Sequence, residues 1–584
     1  MEPVVWLVLG VLVVVAVTSV ARKVGVAAPL MLVVIGVGVS LIPAVPPIIV
    51  EPELVLGVVL PPLLYSTAVN MPAMDFRRDL TTISGLSVGL VLVSAIVVGL
   101  VAQLLLPGLG LAAGIALGAV VSPTDAVATR IVRRQKVSPR VVTVLEGESL
   151  LNDASALVLL RTAVAAMVTT VSLWEAAGDF LLAVAVAVAI GYLVGRLGLA
   201  VRRRLHLATA SVAISLVTPF VAFLPTEHLG GSGLVAAVVA GLVTGHGAPT
   251  HLRPEDRVTE SAVWRTLELL LESAVFLVMG LELFGLLEDV RAEHGSLWLA
   301  LWIGLVTGGL VIAVRVAFVA PSLWLLHRRS LRGVAFRARL AAVEERFDDV
   351  DPSAWAGQRD ISAERAQRRL DRALTMVRRR IADIDYLAGE PMGWREGALL
   401  VWAGMRGAVT LAAAQSLPAA TPHRSTLVLV AFVVAAGTLL VQGISLPALV
   451  RRLGLGRGDD PDRLADLEAV RAELAAAAVE RLADPALARP DGTPYAPETI
   501  ARLRAVSADL VDRPDDGEAW PAALAEQEDE RVLRLDLVNA QRAALLRLRD
   551  EGTFSSAALA EQLRILDAEE LGLQMRAVVP LDED

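Results

Sequence analysis

Glu148-Ser149-Leu150-Leu151-Asn152-Asp153 sits inside an apolar run from about Val141 to Val168. Two carboxylates, a hydroxyl and an amide are costly in a segment of that length and hydrophobicity, and such groups face a water-filled or protein interior. Ser149, Asn152 and Asp153 are spaced i, i+3 and i+4, so they share one helix face. Their hydroxyl, amide carbonyl and carboxylate are oxygen ligands that suit a hard cation such as sodium. Burial favours the neutral form of a carboxylate. Asp153 is therefore expected to hold a proton or a cation near neutral pH, and not both. One hydrophobic segment earlier, Ser122-Pro123-Thr124-Asp125 forms a second oxygen-rich cluster. Thr124 would add a ligand, and Asp125 reads equally as a ligand or as a structural polar group.

Glu148 calls for a different role. It lies about 100° from Ser149 around the helix, and an unpaired buried carboxylate is expensive. We expect a structural ion pair with Arg406, the basic residue of Gly404-Met405-Arg406-Gly407, with Arg315 as the rival partner. Glu268, Glu272 and Glu282 are weaker site candidates, and Glu282 is expected to face water near the outer end of its span.

The elements that must hold these groups follow from composition. The chain has 584 residues, 55% of them hydrophobic, above the roughly 45–50% of soluble domains. The apolar residues fall into about 13 runs long enough to cross a bilayer as helices. Pro123 removes a backbone hydrogen bond in the fifth run, and glycines flank Arg406 in the twelfth. Seven spans separate the two breaks, so they run in opposite directions. That is the pattern of two inverted six-helix repeats with discontinuous crossing helices. The fold class expected is an all-α polytopic membrane protein with a helical cytoplasmic tail. Residues 1–453 form the transmembrane part, with a cytoplasmic insertion at 328–393, and residues 454–584 form the tail. Arginines follow the odd-numbered runs and acidic residues the even-numbered ones, which predicts an outside N-terminus and a cytoplasmic C-terminus. The absence of cysteine excludes disulfides and thiolate chemistry. No basic face with interleaved aromatics appears, so nucleic acid is not an expected partner.

At these motifs the chain resembles the cation/proton antiporter-1 family of sodium/proton exchangers. Ser122-Pro123-Thr124-Asp125-Ala126-Val127-Ala128, Glu148 to Asp153, Gly404-Met405-Arg406-Gly407-Ala408-Val409, Leu60-Pro61-Pro62-Leu63-Leu64-Tyr65 and Gly280-Leu281-Glu282-Leu283 carry the resemblance. It implies a secondary antiporter rather than an enzyme, a homodimer in the plasma membrane that exchanges sodium or lithium for protons by alternating access, without a cofactor. It assigns ion and proton binding to Asp153, with Thr124, Ser149 and Asp125 completing the sodium site, and the structural pair to Glu148 and Arg406. Asn152-Asp153 resembles the Asn-Asp pair of the electroneutral members. Some prokaryotic members carry an acidic residue after the Pro-Pro stretch, where this chain has Ser66-Thr67-Ala68. Potassium/proton exchange is the nearest alternative. A membrane-anchored sensor acting through its tail is the alternative from another class.

Overall fold

The computed structural model describes residues 2–43, 50–168, 173–348, 362–456, 461–485, 487–489, 492–508, 522–552 and 554–575. Residues 349–361, within the expected insertion, lie outside the described residues. The chain divides into two compact units. The first comprises residues 1–251, 259–329 and 390–458.

Helices of the first unit are α1 (Glu2–Val24), α2 (Ala28–Ser40), α3 (Pro52–Asn70), α4 (Ala73–Leu105), the half-helices α5 (Leu111–Val121) and α6 (Val127–Arg134), and α7 (Pro139–Val168). They continue as α8 (Leu173–Arg202), α9 (Ala208–His228), α10 (Gly233–His251), α11 (Pro254–Leu281) and α12 (Leu297–Asp348). After α13 (Ala363–Gly389) come the half-helices α14 (Trp394–Trp402) and α15 (Ala408–Gln415), then α16 (Arg424–Leu453). Among the described residues nine helical stretches are long and apolar enough to cross a bilayer, and three shorter apolar helices accompany them. The interrupted pair α14–α15 brings a further crossing in two pieces.

Both breaks fall where proline and glycine place them. Residues 122–126 leave the helix between α5 and α6, and residues 403–407 do so between α14 and α15. The two breaks meet: the Asp125 amide donates to the Met405 carbonyl at 2.8 Å. α5, the first half of one broken helix, packs on α15, the second half of the other, as antiparallel crossing helices do. Pro61 is absorbed differently. A proline ring crowds the carbonyl four residues earlier, here that of Gly57, and α3 widens into a π-turn over Val55–Val59 that gives the ring room.

Small residues let the scaffold close around the breaks. A Cβ on Gly114 or Gly118 of α5 would fall 2.5 Å from the Gly99 or Ala95 carbonyl oxygen of α4. Helices that cannot rely on water to drive them together associate through such close backbone approach. Leu181, Leu182, Leu193 and Leu197 of α8 are exposed, an apolar surface of the kind lipid covers.

The second unit comprises residues 252–258, 330–389 and 459–584. Its core gathers Leu482, Leu487, Tyr495, Leu503, Leu533 and Leu537. Helices of this unit include Ala522–Glu551 and Ser556–Met575, and the arginine-rich α13 lies within residues 328–393. Arg378 pairs with Glu344 at 2.9 Å, tying α13 to the end of α12. Asp567 accepts from Arg257 Nε at 2.9 Å and from Arg542 at 3.3 Å.

Replacing Gly118 with Leu inserts a side chain where Ala95 backbone lies within van der Waals contact. Overpacking of this kind costs about 1–3 kcal/mol or more, so the apparent Tm in detergent should fall by several degrees. A thermal ramp read by fluorescence-detected size exclusion checks it. An unchanged Tm would mean that α4 and α5 do not meet at this glycine.

Candidate functional site

The break between α5 and α6 frees backbone carbonyls in the middle of the unit, and Arg406 takes them. Its guanidinium donates to Val121 O at 2.8 Å and Ser122 O at 3.3 Å, and also to Gly404 O. Its own amide donates to Thr438 Oγ1 at 3.0 Å. Arg406 is 1% exposed. One side chain thus takes carbonyls from both breaks, which in a low-dielectric setting would each cost several kcal/mol unpaired.

Glu148 therefore pairs elsewhere. Arg315 of α12 grips its carboxylate with both terminal nitrogens, Nη2 to Oε2 at 2.7 Å, while Nε donates to Leu400 O at 2.9 Å. The expected Glu148–Arg406 pair is corrected to Glu148–Arg315, the rival partner. The physical reason is local. Arg406 stands in a break with unpaired carbonyls beside it, whereas Arg315 rises from an unbroken helix and has its fork to spare. Both members of the pair are 1% exposed.

Ser149, Asn152, Thr124 and Glu148 form one connected set. Ser149 Oγ donates to the Thr124 carbonyl at 3.0 Å, Asn152 Nδ2 to Thr124 Oγ1 at 2.7 Å, and Thr124 Oγ1 to Glu148 Oε1 at 3.3 Å. Asn152 Oδ1 is buried without a hydrogen-bond partner. Asp125 turns back on its own helix start, accepting from the Val127 amide at 2.8 Å. A Cβ on Gly407 would lie 1.5 Å from Asp125 Oδ2, and one on Gly404 would lie 2.7 Å from Arg315 Nε. The two glycines around Arg406 are thus where the broken strand passes against a carboxylate and a guanidinium.

Asp153 stands apart from this network. Neither hydrogen bond nor ion pair engages its carboxylate among the described residues. It lines a cavity of about 90 Å³ together with Thr124, Asp125, Ser149, Thr67 and Phe276. That volume is ample for a dehydrated or partly hydrated monovalent ion. The same cavity is lined by Arg130, Glu268 and Glu272. Arg130 lies outside the sequence motifs and Glu268 and Glu272 are weak candidates by sequence, because only the meeting of α6 and α11 brings the three to the cavity. Glu282, expected in water, is 5% exposed and accepts from the Val50 amide at 3.2 Å. Among the described residues no cluster of three or more His, Cys, Asp or Glu is arranged to hold a metal.

The family model described as "Sodium/hydrogen exchanger, transmembrane" matches residues 9–348 and 366–452. A relative named an uncharacterised Na+/H+ exchanger from Mycobacterium tuberculosis is 31% identical over 95% of this chain and 93% of its own length. A "sodium, potassium, lithium and rubidium/H(+) antiporter" from Bacillus pumilus is 32% identical over 44% of this chain and 39% of its length. The solved sodium proton antiporter of Methanocaldococcus jannaschii shares the fold, with a TM-score of 0.53 at 16% identity, covering 78% of this chain and 99% of that one.

If Glu148 is a brace, Glu148→Ala leaves Arg315 buried and unpaired, a loss of about 3–5 kcal/mol. Folded yield in detergent should drop severalfold, while protein that does fold should keep its apparent cation affinity within about twofold. Normal yield with altered affinity would place Glu148 in the ion site.

Proposed function

The chain belongs to the transmembrane sodium/hydrogen exchanger family, and from that premise we propose that it exchanges sodium or lithium for protons by alternating access, one for one. Membership makes it a multi-pass membrane cation/proton antiporter, a transporter rather than an enzyme. The ion, the stoichiometry and the residues are our reading.

Asp153 carries that reading. It is a buried carboxylate that lines the cavity with neither hydrogen bond nor ion pair among the described residues, on the same helix as a carboxylate already paired with Arg315. A group with no fixed partner is available to a proton or to a cation. Sodium at Asp153 would find oxygen ligands in Ser149 Oγ and the Thr124 carbonyl, with Asp125 the remaining candidate. Asn152, which holds Thr124 Oγ1 in place, is uncharged. A single titrating carboxylate therefore exchanges one positive charge for another, which is the basis for electroneutrality. Alternating access would expose the site to each side in turn. We place the N-terminus outside and the C-terminus in the cytoplasm from the arginine distribution, in the plasma membrane, with a homodimer as the working assembly. The exchange would serve pH and sodium homeostasis.

Potassium is the competing cation. Oxygen ligands admit both ions, and the name of the Bacillus pumilus relative spans sodium, potassium, lithium and rubidium.

Everted vesicles energised to hold a pH gradient decide between these. Sodium or lithium should dissipate the gradient in wild type, and potassium should do so weakly. Asp153→Asn should abolish the response, by at least about tenfold, the loss that follows when a group essential to the step is removed. Response by Asp153→Asn at the wild-type level would end the assignment. A flux that changes when the membrane potential is clamped would end one-for-one exchange.

A further inference from the structure

Arg130 and Glu272 form an ion pair inside the cavity that holds Asp153. The guanidinium of Arg130, on α6, meets the carboxylate of Glu272, on α11, through both terminal nitrogens. The pair is half-buried, with side chains 37% and 18% exposed. Glu268 lies one helical turn before Glu272 and lines the same cavity. Two carboxylates and one guanidinium therefore line the same cavity as the Asp153 carboxylate.

The pair joins two sets of helices. α6 continues from the Asp125 break, which is fastened to the other break at Met405, and it packs on α7 and α16. α11 is fastened to a different set. Glu260 pairs with Arg202 of α8 at 2.6 Å, Trp264 Nε1 donates to Ser215 Oγ of α9 at 3.0 Å, and the Trp264 ring lies 5.4 Å from that of Tyr65 on α3. All five of these residues are buried. The opposite wall of the cavity, α3 and α11, is thus one braced body, and Arg130–Glu272 crosses from it to the body that carries Asp153. A second pair, Arg161–Glu227, also connects α7 to α9 at 2.7 Å, but Arg161 is 60% exposed and neither residue lines the cavity.

We propose that Arg130 and Glu272 are a charge gate on the ion pathway, opened in each transport cycle when a monovalent cation takes the guanidinium's place at Glu272 and Glu268. Arg130 acts as a tethered stand-in for the transported cation. While it holds Glu272, the approach to Asp153 is closed and the two bodies are pinned. A cation that neutralises Glu272 releases both. The inference deepens the exchange reading above and rests on it.

The two partners then have opposite effects, which a passive brace would not produce. Arg130→Gln removes the internal competitor and should lower the apparent KM for sodium about fivefold, the size of an interaction between partly exposed charges. Glu272→Gln leaves an unpaired guanidinium repelling sodium and should raise it by about as much. Sodium-dependent proton flux in everted vesicles measures both. Shifts of the same sign, or both within twofold of wild type, overturn the gate. The natural chain has no cysteine, so Arg130→Cys with Glu272→Cys gives a clean second measurement. An arginine–glutamate pair spans more than a disulfide reaches, so a short, reductively cleavable bis-thiosulfonate reagent joins them. Flux should stop on cross-linking and return on reduction, and undiminished flux through cross-linked protein overturns the gate. Wild-type vesicles in which no monovalent cation moves protons would sink the exchange reading itself. Wild-type exchange with same-sign shifts would sink the gate alone.

Discussion

Two helices stop and restart in the interior of this protein, and the backbone groups they release must be satisfied without water. In a bilayer this condition is severe, because an unpaired carbonyl has no solvent to turn to. Arg406 meets it at both breaks at once, reaching Val121, Ser122 and Gly404 carbonyls while its own amide is held by Thr438. The remaining site geometry follows. With Arg406 occupied, Glu148 must find its countercharge on α12, which draws α7, α12 and the Leu400 end of α14 together through Arg315. With Glu148 neutralised, Thr124 and Asn152 have fixed partners, and Asp153 lines the cavity without one among the described residues.

The two carboxylates of α7 thus differ by environment rather than by type. Glu148 is closed in by a guanidinium fork and the Thr124 hydroxyl. Asp153, five residues on, has an open cavity in front of it. The exchange we propose at Asp153 needs the neighbouring charge to be held fixed, and the Arg315 fork holds Glu148. The glycines at 404 and 407 serve the same division, since any side chain there would collide with Arg315 or Asp125.

Much of this was readable from the chain, for identifiable reasons. Pro123 and the Gly404–Gly407 stretch announce the breaks because proline and glycine act on the backbone locally. Ser149, Asn152 and Asp153 announce a shared face because helical spacing is fixed. The partner of Glu148 was not readable in the same way. Arg315 and Arg406 are both mid-span arginines, and what separates them is the supply of orphan carbonyls within reach, a property of how the two breaks cross. Arg130, Glu268 and Glu272 were hidden for a related reason. They lie on α6 and α11, well over a hundred residues apart in sequence, and become one group only when the half-helix swings across the cavity. The tail helices were legible as amphipathic stretches, and the residues they grip were not.

A site built this way has a consequence for how it moves. A group that binds an ion weakly enough to release it needs few fixed contacts, which is the ground on which we propose Asp153 for that role. The groups that hold the moving parts together are fully bonded and buried: Arg406 and Arg315 on one side, and Arg202, Glu260 and Trp264 on the other. Each set ties its own helices strongly, and buried pairs of that sort are expensive to separate. In the exchange we propose, motion would fall at the boundary between the two sets. That boundary is crossed by few polar contacts, half-buried and screened, of the kind worth about 1 kcal/mol or less. A cation of ordinary affinity can offset a contact of that size, whereas it could not offset the loss of Glu148 from Arg315. The same arithmetic that makes Glu148 a brace makes the Arg130–Glu272 contact the one that can open.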